Sequence, residues 1–257
     1  MSAVIRFRFG LVPLDEVTPW GERNVLHWFG LTQGWYCIDI DGHELLRYSD
    51  HTMGLWSTDS AGARAHPWVD YYVVRLWEDV LEVLPHALEP VPEDLVEFVA
   101  SESANWCETD DPAADAALSA HADRTVDTGY LRVGPYLRWW REAHAEDTIV
   151  IAWRHTEDPH GEISFTAPEC GRASVSTEEF VSAVTDFDRS LFDAMQTRVT
   201  QLASTGPRTD VELNVEDLHR EHKDRQTWFP RALSRRVCTD WDAVRAGARI
   251  LSGQGMV

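Results

Sequence analysis

From Ser176 to Gly206 the chain carries one unbroken helical pattern. Phe180, Val184, Phe187, Leu191, Met195, Val199 and Leu202 recur at steps of four and three, which aligns them on one side of an α-helix. Ser176-Thr177-Glu178-Glu179 has the form of a capping box, in which the serine hydroxyl and a glutamate carboxylate each satisfy an otherwise orphaned amide. Gly206 closes the pattern. The spacing predicts a helix over 176–205 with a single apolar stripe. Such a stripe has to be covered, so the rest of the chain must supply a layer to pack on it.

The covering layer reads as antiparallel β-structure. Trp35–Ile40 is rich in aromatic and β-branched residues, Asp41-Gly42 supplies a two-residue type I′ turn, and His43–Tyr48 returns. The loop length sets the register: Ile40 opposite His43, Asp39 opposite Glu44, Ile38 opposite Leu45 and Cys37 opposite Leu46. Val4–Phe9 alternates and pairs nearby. In the second half, Thr148–Arg154 and Glu162–Thr166 read as strands around the polar turn Glu157–Gly161. Tyr130–Trp140 carries no decisive pattern. Further helices are predicted over Val69–Leu84, with Pro85 at the end, and over Glu93–Ala100, Val215–Ser234 and Asp240–Leu251, the last capped by Thr239. The fold class is α+β: antiparallel hairpins packed against several helices.

Charge is distributed unevenly. The formal net charge is −20, from 43 acids and 23 bases, which argues against nucleic acid or an anionic membrane surface as the partner. Between His86 and Asp127 there are 11 acids and one base, Arg124, whereas His219–Val257 carries eight bases and four acids. The acidic stretch reads as a long loop or joint. The chain is then either one undivided domain over 1–257 or two lobes, 1–100 and 126–257, joined by 101–125. Lys223 is the only lysine, and the arginine excess fits a G+C-rich genome better than a guanidinium code.

The four cysteines, Cys37, Cys107, Cys170 and Cys238, are widely spaced, so neither a metal cluster nor a redox pair is indicated. Met1–Gly10 alternates and lacks the apolar core of a secretory signal, and no apolar run is long enough for a membrane span. The expected setting is cytoplasmic, with four free thiols. No metal and no cofactor is implied.

Several apparent motifs fall short. Asp127-Thr128-Gly129 matches half of an aspartic-protease dyad, but the chemistry needs two such carboxylates and the chain has one copy. His219-Arg220-Glu221-His222 sets its histidines three apart, whereas zinc-hydrolase helices set them four apart. Asp39-Ile40-Asp41-Gly42 opens like a calcium loop without its later ligands. Asp39 opposite Glu44 is a like-charge pair across a ladder, destabilising by a few tenths of a kcal/mol, about what an acid–base site tolerates or a solvated face absorbs. These two residues and His43 are the weak catalytic candidates. The 12 tryptophans include Trp106 inside the acidic stretch, and tryptophan is enriched at binding hot spots.

Four stretches together resemble an uncharacterised bacterial family, the DUF5984 family, common in actinomycetes. They are Thr18-Pro19-Trp20-Gly21 with Leu26–Ser49, then Val69–Leu95, Ile163–Val199 and Thr239–Leu251. Met1–Ala3 and the acidic Ser101–Asp127 do not take part. The resemblance implies an actinobacterial cytoplasmic protein and no activity, so it assigns no residue a role.

Two functional readings stand. In the first, the chain is a protein-binding module, an inhibitor or immunity-type partner of a basic protein, contacting it through Glu102, Trp106, Glu108, Asp110, Asp111 and Asp115. In the second, it is a small-molecule enzyme, hydrolase-like, whose pocket gathers scattered His, Asp/Glu and Trp side chains. A pocket collecting histidine and carboxylates distinguishes the second from the first.

Overall fold

Asp41 and Gly42 adopt φ of 51° and 85°, the left-handed pair that a type I′ turn requires. This turn joins strand β3 (Gln33–Ile40) to β4 (His43–Glu44) in the expected register, Ile40 opposite His43 and Asp39 opposite Glu44. The return strand is shorter than its sequence indicates. Leu45 and Leu46 are both buried, which strict alternation forbids, so the chain leaves the ladder after one more hydrogen bond, from Leu45 N to Ile38 O at 3.0 Å. The structure, a computed structural model, describes residues 4–57, 66–144, 146–207 and 209–253. Met1–Ala3 and the last four residues of the basic tail lie outside them.

Strand β1 (Ile5–Leu11) runs antiparallel along one edge of β3. On the other edge, β4 pairs with the end of β3 and β5 (Val69–Tyr72) with its start. The helix predicted from Val69 therefore begins later, as α2 (Val73–Leu88), and runs through Pro85. Val-Asp-Tyr-Tyr fits a strand as well as a helical face, and the unpaired edge of β3 decides between them. A second antiparallel sheet has the order β6 (Thr125–Val126), β7 (Pro135–Glu142), β8 (Thr148–His155), β9 (Cys170–Ser176). Its outer strand is β9, not Glu162–Thr166. Cys-Gly-Arg-Ala-Ser-Val-Ser buries only Val175, so this edge strand lacks the apolar signature of a strand. The 162–166 segment instead crosses to the first sheet, where Phe165 bridges Tyr48.

The long helix, α5 (Thr177–Thr205), starts from Ser176 with both halves of the capping box formed and stops at Gly206, φ 72°. All seven residues of its predicted stripe are buried. Phe187 stacks on Phe7 of β1 at 5.1 Å, and Phe180 packs edge-on against Trp139 of β7 at 5.3 Å, so α5 closes one core shared by both sheets. Trp139 and Trp140, adjacent in β7, point to opposite faces. Trp140 enters a second core with Val150, α3 (Val96–Ala100), α4 (Asp115–Ala122) and α8 (Trp241–Leu251). Gly247 permits the α4–α8 approach: a β-carbon there would lie 2.8 Å from that of Ala117. Asp240, not Thr239, caps α8, accepting from Ala243 N. The predicted Val215–Ser234 helix is two, α6 (Val215–Arg225) and α7 (Trp228–Ser234), separated at Gln226-Thr227. Helix α1 (Asp50–Ser57) and a short parallel pairing of β10 (Glu212–Leu213) with β2 (Val25–Leu26) complete the fold.

Candidate functional site

Helix α2 turns its apolar face to the main core, and beside that face runs a polar stripe, Arg75, Asp79, Glu82 and His86, at steps of four, three and four. The stripe faces the end of α4, strand β6 and the residue after α7, Arg235. Between them lies a cavity of about 430 Å³. Asp79, Glu82 and His86 line one side of it, Asp123 and Asp127 the other.

Asp79 is 3% exposed. Its Oδ1 lies 3.1 Å from Arg75 Nη2, while its buried Oδ2 has no hydrogen-bond partner among the described residues. Arg75 is shared: the same nitrogen donates to Asp127 Oδ2 at 2.7 Å, and the guanidinium lies over the Tyr130 ring at 5.1 Å. Tyr130 in turn accepts a hydrogen bond from the fully buried Tyr36 hydroxyl at 3.1 Å. Burial pushes the Asp79 carboxyl up to about 7; Arg75 and the nearby Tyr130 hydroxyl oppose the rise, and Asp127 and Glu78 add to it. His86 Nδ1 lies 3.5 Å from Asp123 Oδ2, too far for a hydrogen bond. Burial holds the His86 imidazole below its ordinary value against the pull of Asp123. The cavity thus holds a carboxyl pushed up toward neutrality and an imidazole held below its ordinary value. Among the described residues no three His, Cys, Asp or Glu side chains converge tightly enough to hold a metal ion.

A neighbouring cavity of about 590 Å³ shares Ala122, Thr125 and Asp127 with the first and extends over Tyr136, Arg138 and Arg154 of β7 and β8. At its edge His121 is held down to about 4, by burial and then by Arg138.

The family model of DUF5984, described as a family of unknown function, matches residues 6–247. The chain belongs to that family. The match spans every residue lining both cavities of this DUF5984 protein. No curated protein and no solved structure matches it.

The candidates read from the sequence lie elsewhere in the DUF5984 fold. Asp39 and Glu44 do face each other, but each is engaged by other groups. Arg6 sits opposite Asp39 on the other edge of β3, and Asp39 Oδ1 accepts from Gly42 N as part of the turn. Glu44 accepts from Arg8 at 2.5 Å, Arg47 at 2.7 Å and Trp68 Nε1 at 3.2 Å. Burial raises the Glu44 carboxyl, but these hydrogen bonds hold it below its ordinary value, so it stays ionised and engaged. His43 is exposed beside Trp153. In the acidic stretch, Glu102 pairs with Arg154 at 2.9 Å. Glu108, Asp110, Asp111 and Asp115 are exposed, and Asp111 caps a single helical turn. Trp106 is half-buried, stacked on Phe98 at 5.0 Å, with its Nε1 on Ser101 Oγ at 2.8 Å.

Of the residues lining the α2 cavity, Asp127 alone belongs to a sequence motif, the half aspartic-protease dyad, and in the fold that motif is a turn. Asp127 makes that turn by accepting from Gly129 N at 2.8 Å. His222 of the incomplete zinc pattern is a core residue, bonded to Trp28 Nε1 at 3.0 Å and Gln196 at 3.1 Å. The sequence signal for Asp79 was an acid set three after Leu76 and four before Val83, beside an apolar helical stripe.

Proposed function

We propose that this DUF5984 protein acts on a small molecule held in the cavity beside α2, with Asp79 as the group that exchanges a proton with it. The observation that carries the reading is the buried Asp79 carboxyl, which has one oxygen on Arg75 and the other without a partner at the cavity. A carboxyl titrating near neutrality both gives and takes protons at physiological pH, which general acid–base chemistry needs and an exposed carboxylate does not provide. His86 is the second titratable group within the same cavity. This favours the small-molecule, hydrolase-like reading over a purely structural protein. The four free thiols support a reducing, cytoplasmic setting, and no helix among the described residues is long and apolar enough to cross a membrane.

The test is a panel of small polar molecules scored by thermal shift on the native protein and on Asp79→Asn. Compounds that raise the Tm of the native protein and lose that effect in Asp79→Asn support the reading. A panel with no Asp79-dependent compound contradicts it.

A second reading rests on a separate observation. Glu108, Asp110, Asp111 and Asp115 are exposed and have no ion pair among the described residues, which favours a basic protein partner steered by charge. Trp106 then holds the acidic segment in place through Phe98, and Glu102 does so through Arg154. Association with such a partner slows in Glu108→Ala/Asp110→Ala/Asp111→Ala at low salt; an unchanged rate contradicts steering.

A further inference from the structure

The α2 cavity and its neighbour open on the same side of β6, since Thr125 and Asp127, two residues apart, line both. Their charged linings differ: the α2 cavity sets Asp79, Glu82, Asp123 and Asp127 against Arg235, whereas the second sets Arg138 and Arg154 against Glu102 and Asp127. On the α2 side, Asp79 and Asp127 share one arginine, and Glu82 has no ion pair among the described residues. On the other side, Arg138 Nη1 donates to the Val99 and Ser101 carbonyls at 2.8 and 2.6 Å. Arg138 has no carboxylate partner among the described residues, and its buried Nε has no hydrogen-bond partner. The nearby Arg154 is already engaged with Glu102. An orphan acceptor, Asp79 Oδ2, and an orphan donor, Arg138 Nε, therefore belong to adjoining cavities. A buried polar atom left unpaired bears its full desolvation cost, and a ligand that pairs both removes that cost twice.

We propose that the ligand is a zwitterion of the amino-acid type, its amine or guanidinium seated at Asp79 and its carboxylate directed to Arg138. Between the two ends the ligand's stem passes Thr125 and meets Tyr136 and Trp153 of the second cavity. This rests on the reading of the α2 cavity as the functional site. It adds the charge pattern of the molecule bound there.

The experiment titrates the full-length protein with butylamine, butyrate, γ-aminobutyrate and ε-aminocaproate, following the tryptophan indole and histidine NMR signals. The expected result is that one of the two amino acids binds roughly tenfold or more tighter than either one-ended probe, because its second contact is intramolecular. Asp79→Asn then removes the butylamine response and keeps that of butyrate, and Arg138→Gln does the reverse. The probe series on the native protein needs no variant, so it stands even if Arg138→Gln misfolds. Amino acids that bind no tighter than butylamine overturn the zwitterion and leave the Asp79 site intact. If no probe of any charge moves these signals, both this inference and the reading beneath it are overturned.

Discussion

Asp79 is buried by the fold, so its protonation is coupled to folding. Its carboxyl titrates near 7 in the fold and near its ordinary value of 3.8 in the unfolded chain. Between those values the unfolded chain has released a proton that the native state still holds. Stability therefore falls as pH rises from about 4 to about 7 and is level outside that window, a loss of up to about 4 kcal/mol for three pH units. Asp79→Asn lacks this loss. The stability difference between Asp79→Asn and the native protein is expected to grow in the variant's favour across pH 4 to 7, read from urea melts at each pH. A difference that stays flat contradicts a buried, proton-holding carboxyl. His121 tilts the native curve the other way. It is held down to about 4 in the fold, so acid must charge it between 6.5 and 4 and stability falls as pH drops. Both variants share that slope, and taking the difference cancels it. In the like-charge pair legible in the sequence, Glu44 instead meets Arg8 and Arg47, whose hydrogen bonds hold its carboxyl below the ordinary value.

Among the elements, α5 depends most on a single stripe. Leu191 is fully buried at its middle, between Phe187 and Met195. Leu191→Ala is expected to cost about 2–5 kcal/mol, from lost burial plus the cavity left behind. A change under about 1 kcal/mol in denaturant melts would mean that another face of α5 carries the packing. This helix and the Asp41-Gly42 hairpin were legible because their signals are local: a period, a cap and a pair of turn residues. What was not legible is non-local. The Val69–Tyr72 segment becomes a strand because β3 offers a free edge. Strand β9 forms because β8 needs an outer partner, although its own residues bury only Val175. Gln226-Thr227 breaks the predicted C-terminal helix so that Trp228 of α7 can stack on Trp77 of α2 at 5.8 Å, a contact that no local pattern announces.

At the scale of the molecule, the β6–β9 sheet separates two cores, and one buried ion pair ties the second core to α2. Arg124, fully buried between α4 and β6, donates to Glu89 just past α2 at 2.8 Å and lies over Trp241 of α8 at 4.9 Å. Glu89 also accepts from Thr239 N at 2.8 Å and from Thr239 Oγ1 at 2.5 Å. Removing one partner leaves a buried charge uncompensated, so Glu89→Ala is expected to cost about 3–5 kcal/mol, and Arg124→Leu/Glu89→Leu less than the sum of its parts. Additive effects in that cycle would show that the pair is not coupled. The same assembly explains why the candidate site was hidden. Asp79, His86, Asp123, Asp127 and Arg235 come from α2, the end of α4, the turn after β6 and the residue after α7, separated by up to about 150 positions in the sequence. They meet only when both cores are formed. The acidic stretch was legible as charge, and its fold is set by contacts outside itself: Trp106 on Phe98, and Cys107 N on Leu251 O at 2.8 Å. The central claim is that this assembly holds the Asp79 carboxyl protonated near neutrality at the cavity. A carboxyl-carbon NMR titration of aspartate-labelled protein, assigned with Asp79→Asn, reads that directly. One aspartate titrating near 7 and absent from the variant is the predicted result; an Asp79 signal that titrates near 4 would contradict it.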